Sequence, residues 1–200
     1  KIINFIGRKN ILNADVFFEK LKSNKLKNTD ICFTFDDGIK CQLDVALPIL
    51  EDLKIKSYFF TYTSMFEKKP DNLDIFKYFR KNYFKSIDEF YQSFYKHLEF
   101  DLTDFFKKNS IEIKYRKSKY KFYSIEDIKF RLVRNNFLNK NQYEQIMLLM
   151  IEKKKIKLKD IYKNLFITKY DLQKLDNLGH IIGLHTHTHP TQIENLNYDE

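Results

Sequence analysis

Cysteine is scarce in this 200-residue chain: Cys32 and Cys41 are the only two, and their spacing fits neither a CxxC pair nor a zinc ribbon. The expectation is two reduced thiols, with Cys32 in a buried strand. Long apolar runs are missing too, since no stretch approaches the ~20 residues of a membrane helix. The N-terminus as given carries no signal-peptide pattern, and these absences together favour a cytoplasmic protein. The sequence starts at Lys1 and reaches Glu200 with no obvious stop to its last element, so residues are expected to be missing at one or both ends. What is plentiful is apolar material. Hydrophobic residues make up 43% and aromatics 16% of the chain, which excludes a disordered composition and suits one domain, or a core with a large insertion.

Acidic charge is short in one region only. Residues 66–170 carry 25 Lys/Arg against 14 Asp/Glu, whereas the remainder carries 11 against 13. The net charge of +9 therefore belongs to the middle of the chain. Patterning changes at the same places. Strands are expected at 1–7 (KIINFIG), 31–35 (ICFTF), 57–63 (SYFFTYT) and 180–184, and helices at 13–24, capped by Asn13 or Asp15, and at 43–56, the latter regular only from near Pro48. Strand, helix and strand within about 30 residues form a βαβ unit and imply a parallel sheet or barrel. From 66 to 170 the pattern is helical, with Ser86 and Glu89 at capping-box spacing and Ser124 and Asp127 repeating it. A further helix starts at Thr168–Asp171 and stops at Gly179. The domain reading is 1–65, a helical insertion at 66–170, and a return at 171–200.

Two clusters carry chemistry, each just past the C-terminal end of an expected parallel strand, where α/β folds gather their sites. Asp36 and Asp37 follow the strand at 31–35, and HTHTHP (185–190) follows the strand at 180–184. Two imidazoles and a carboxylate are a common ligand set for a catalytic divalent metal with open positions, and a second carboxylate beside them can serve as general base. A dication also relieves the repulsion between adjacent aspartates. Neighbours in an extended chain face opposite ways, so the turn at Gly38 must redirect one of the two. Alone, an Asp-Asp-Gly is usually a turn and a histidine cluster a surface feature. Their pairing at two strand ends is what gives them weight.

TFDDG (34–38) followed by H-T-x-x-H-P (185–190) resembles the polysaccharide deacetylases, the NodB-homology domain of carbohydrate esterase family four. The flanks ALPILEDLKIKSYFF and LGHIIGLHTHTHP are similar to the family's helix with second strand and to its second motif. The resemblance covers about half the chain, 1–65 and 170–200. It implies a distorted (β/α) barrel of the NodB type, here partial and carrying a large α-helical insertion. It implies Asp36 as catalytic base, Asp37, His185 and His189 as metal ligands, and Thr186 as the residue tying the histidine loop by a hydrogen bond. The reaction implied is metal-dependent hydrolysis of an N-acetyl or O-acetyl group on a sugar, with Zn2+ the first choice of divalent metal, in bacterial surface polysaccharide biosynthesis. His187 lies between the ligands and is given no role, and neither are His97 and His180. The family's later motifs, with an Arg, a Trp/Asp pair and a histidine acid, have no counterpart after Pro190, so the remainder of the barrel is expected to be absent. The insertion is longer than the family's usual link.

Two rival readings remain open. His185 and His187, at i and i+2 on a strand end, suit other amidohydrolase-like metal hydrolases. The stretch KYRKSKYKFY (114–123) interleaves Lys/Arg with Tyr and Phe, as single-stranded nucleic-acid binders do. Nucleic acid is not the favoured partner. An anionic substrate such as a nucleotide- or lipid-linked sugar, or an anionic membrane surface, is preferred for the insertion, with Lys117, Lys119 and Lys121 as contacts.

Overall fold

A computed structural model describes residues 2–67 and 70–190, which divide into two compact units. The first is formed by the chain up to Asp71 and from Tyr162 onward, the second by Asn72–Ile161. Residues 66–71 and 162–170 thus belong with the sheet rather than with the helical segment. The part of the 171–200 segment that follows Pro190 lies outside the described residues.

The first unit opens with α1 (Ile2–Ile6) and α2 (Ala14–Lys22), followed by β1 (Thr34–Phe35), α3 (Leu47–Asp52) and β2 (Tyr58–Thr61). Seven helices come next: α4 (Asn72–Asn82), α5 (Ile87–Lys96), α6 (Thr103–Lys108), α7 (Ser110–Lys119), α8 (Ile125–Leu132), α9 (Lys140–Lys153) and α10 (Leu158–Leu165). The chain then forms α11 (Lys169–Asn177) and β3 (Ile181–Leu184). The class is α/β. The strands form one parallel sheet in the order β1-β2-β3, with Phe35 beside Phe59 and Phe60 beside Gly183. Among the described residues the sheet is open and does not close into a barrel.

The strand expected at 1–7 is the clearest correction, because Ile2–Ile6 are helical rather than extended. A short apolar run does not distinguish a strand from a buried helical turn. Here Gly7, at φ +86°, ends the turn with its N–H on the Ile3 carbonyl at 2.8 Å, and Ile3 and Ile6 pack on the core. The expected cap of α2 also differs. Asn13 stands at the N-cap, but its Oδ1 accepts from the backbone N–H of Lys56 at 3.0 Å instead of capping the helix.

The sheet unit buries Ile11, Leu47, Leu50, Ile55, Phe59 and Leu175 as one cluster. Period-two burial along β2 puts Ser57, Phe59 and Thr61 inward, and Phe59 stacks on Phe35 with centroids 4.9 Å apart. Pro48 sits in the first turn of α3, where its missing N–H costs nothing. Gly183 is required by packing, since a Cβ there would lie 2.3 Å from the Phe60 ring. The second unit has an aromatic core of Phe76, Phe79, Phe90, Phe94 and Phe130. Ser86 and Ser124 cap α5 and α8 through the N–H groups of Glu89 and Asp127, and Thr168 with Asp171 makes a full capping box on α11. His97 closes α5, with Nδ1 2.7 Å from the Ser93 carbonyl. Both cysteines are free, and burial pushes the Cys32 thiol up to about 11, so it is a poor nucleophile.

His180 joins sheet and helix. Its Nδ1 accepts from the Ser57 N–H at 3.1 Å, its Nε2 lies 3.1 Å from Glu51 Oε1, and its ring meets Phe59 edge-on. Burial pulls His180 below the ordinary histidine value, against the opposing pull of Glu51. The unfolded chain therefore takes up this proton at a higher pH than the folded one. The contribution to stability is complete above about pH 6.5 and is lost as pH falls from there toward the folded-state value. Urea midpoints are expected to drop between about pH 7 and pH 5, and a His180→Gln variant to show a flatter dependence over that window. Equal slopes in the two proteins would remove His180 as the cause.

Candidate metal centre

The two sequence clusters meet above the C-terminal edge of the sheet. β1 and β3 flank β2, so their ends are separated by two strand spacings, roughly 10 Å. Two bends bring the side chains together across the end of β2. After β1, Asp37 adopts φ +73° and Gly38 φ +60°. The redirection expected at Gly38 thus begins one residue earlier, at Asp37 itself, and it leaves Asp36 exposed while Asp37 turns inward. The turn is pinned to the segment before α11: the Gly38 carbonyl accepts from the Ile167 N–H at 3.0 Å, and the Lys40 N–H donates to the Leu165 carbonyl at 2.7 Å. The Gln42 side-chain amide donates to the Asp36 carbonyl.

After β3 the ladder runs one bond further, with the His185 N–H on the Thr61 carbonyl at 2.9 Å. Thr186 and His189 then take φ +66° and +57°. Non-glycine residues seldom adopt the left-handed region, and such residues gather at functional sites. Three of them, Asp37, Thr186 and His189, lie in these two bends. The Thr186 hydroxyl accepts from the His189 N–H at 3.1 Å and fixes the loop. The Thr186 and His187 carbonyls accept from the N–H groups of Thr63 and Ser64, which ties the loop to the chain leaving β2.

The result is a compact donor set. Asp37 Oδ1 lies 3.0 Å from His189 Nε2 and 3.3 Å from His185 Nε2, and ligand atoms of the three residues all fall within 4.8 Å of one another. His187 stands apart from it, exposed, with Nδ1 2.7 Å from Thr63 Oγ1. The i, i+2 histidine pair of the amidohydrolase-like reading is therefore not assembled, whereas the i, i+4 pair is. His180 and His97 lie outside the cluster, in the contacts already described.

No protein-family model, curated protein or solved structure matches this chain significantly.

Two residues of the site were not legible in the sequence. Asp71 Oδ2 lies 3.2 Å from His189 Nδ1, and the Tyr62 ring stacks on the His189 imidazole at 4.8 Å and 8°. The same Tyr62 hydroxyl accepts from the Asp71 N–H at 3.2 Å, so one fully buried side chain supports both the ring and its carboxylate partner. His189 thus stands between two carboxylates, with Nε2 3.0 Å from Asp37 Oδ1 and Nδ1 3.2 Å from Asp71 Oδ2. Two imidazoles and a carboxylate, with a carboxylate behind one imidazole, fit a divalent metal with open coordination positions. Tyr62 falls inside the strand expected at 57–63, and only the observed end of β2 at Thr61 puts it at the site edge. Asp71 follows Pro70 just before α4 and reads in sequence only as a helix-start residue. Asp71→Ala is expected to weaken zinc binding roughly 10- to 100-fold, as loss of such outer carboxylates does. An unchanged affinity by calorimetry would reduce the 3.2 Å contact to packing.

Proposed function

We propose that this protein is a metal-dependent hydrolase of the polysaccharide deacetylase type, which removes an N-acetyl or O-acetyl group from a sugar. The observation that carries the proposal is the convergence of Asp37, His185 and His189, from two motifs separated by 147 positions, on one donor set at the C-terminal edge of a parallel sheet. The spacing of the motifs and their flanks supports the same reading, with the sheet unit as part of a distorted (β/α) barrel of the NodB type and the basic helical unit as an insertion. Zinc is the metal favoured by the histidine-rich set. When bound, it supplies Lewis acidity, polarising an acyl oxygen and making water acidic near neutral pH.

The chain's own groups do the rest. Asp37, His185 and His189 would hold the ion, Asp71 would orient His189 through Nδ1, and Tyr62 stacks on that ring and fixes its plane. Asp36, exposed one residue before the ligand, takes the proton of the attacking water on its carboxylate. The water oxygen joins the carbonyl carbon, the carbon–nitrogen or carbon–oxygen bond to the sugar breaks, and the proton ends on the departing group. Acetate release from N-acetylglucosamine oligomers, and from their nucleotide- and lipid-linked forms, tests the proposal. Release is expected to stop on chelation and to return with zinc. Release that survives chelation, or zinc binding without acetate release from any of these substrates, counts against it.

A further inference from the structure

The basic helical unit carries a surface that the metal centre does not use. Between residues 107 and 121 the chain has seven Lys/Arg and one Glu. Arg116 is held by that Glu112 at 2.6 Å, one helical turn away. Lys117 is also spoken for, since its Nζ donates to the Tyr123 carbonyl at 2.6 Å and closes the turn after α7. The other five are lysines with exposed side chains. Large apolar side chains stand among them. Ile111 is 81% and Phe122 77% exposed, and Tyr115 is exposed one turn from Ile111 on the same face. Lys119 continues that face, its ammonium 5.7 Å from the Tyr115 ring centre and 5.5 Å from that of Tyr120.

We infer that α7 and the turn after it dock on an anionic lipid surface, with the lysines at the headgroups and Ile111 and Phe122 entering the acyl boundary. Charge selects an anionic partner, and each lysine near such a surface adds to binding. The apolar groups select a bilayer over a nucleic acid. Single-strand binders offer open aromatic faces for base stacking. Here the most exposed member is an isoleucine, which cannot stack, Lys119 already lies over Tyr115 and Tyr120, and the exposed Phe122 ring already has the Tyr123 ring 4.3 Å from it. Tyrosines beside lysines are the mixture that sits at a membrane interface, with ring bodies in apolar surroundings and hydroxyls wet. Among the described residues no helix is long and apolar enough to cross a membrane.

Vesicle co-sedimentation tests the inference without reference to the metal centre. The expected result is binding to vesicles of phosphatidylcholine and phosphatidylglycerol at roughly two to one, weakened by salt, and none to phosphatidylcholine alone. Lys114→Glu, Lys119→Glu and Lys121→Glu together are expected to weaken binding by on the order of a hundredfold or more. Ile111→Ser with Phe122→Ser leaves the charge unchanged and is expected to cost about tenfold or more. All five side chains are exposed, so both variants keep the core. Three results overturn the inference: no binding to anionic vesicles, binding indifferent to either variant, or binding that the apolar variant leaves intact and a single-stranded oligonucleotide displaces. The last marks a general polyanion site.

Discussion

Asp37→Ala is expected to bind zinc at least about a hundredfold more weakly than the unaltered protein. Apparent binding energies of four-ligand zinc sites, about 10–16 kcal/mol, divide to roughly 3 kcal/mol per ligand, and 1.4 kcal/mol is a factor of ten. Asp37 is the one carboxylate in the donor set, and both histidine Nε2 atoms face the same oxygen, Oδ1. Removing it takes away the anion that binds the ion and the group that joins the two motifs. Alanine at φ +73° also introduces backbone strain, so Asp37→Asn is the needed companion. Asparagine tolerates the left-handed region and keeps the shape of the side chain, but it lacks the charge. Both variants should lose affinity, and the asparagine form should do so with little change in urea midpoint. Tight one-to-one binding surviving in both would sink the metal centre, because His185 and His189 alone would then be holding the ion as an isolated cluster.

The parallel sheet edge was legible because strand-end positions follow from the apolar runs themselves. ICFTF ends where Asp36 and Asp37 begin and HIIGL where His185 begins, and parallel strands place those ends on one side. The clustering of Asp37 with His185 and His189 was legible for the same reason, together with the i, i+4 spacing of the two histidines. What was not legible depends on contacts distant in sequence. Asp71 acquires its role only because the chain, nine residues past Tyr62, returns to that hydroxyl and to His189. The opening heptad departs from expectation because KIINFIG has neither the length nor the alternation to decide between helix and strand. Asn13 was expected to cap a helix that it precedes, yet its side chain serves Lys56, 43 residues away. In each case a local pattern offered two uses for a residue, and packing chose the one that sequence proximity disfavours.

Asp36→Asn separates proton transfer from metal binding. The two aspartates are adjacent, yet the bend at Asp37 gives them different surroundings: Asp37 is in the donor set, and Asp36 is exposed and outside it. An asparagine at position 36 keeps the carbonyl that Gln42 holds and so leaves the turn in place. Zinc affinity is expected to be unchanged, while the rate of acetate release falls by roughly 10²- to 10⁴-fold, the usual contribution of a positioned general base. The loss should appear in kcat more than in KM, because the base acts on water in the reaction step and does not hold the sugar. A variant that loses zinc in proportion to activity would make Asp36 a ligand rather than the base. A variant that keeps full activity would move the base elsewhere and leave the exposed carboxylate without a chemical task.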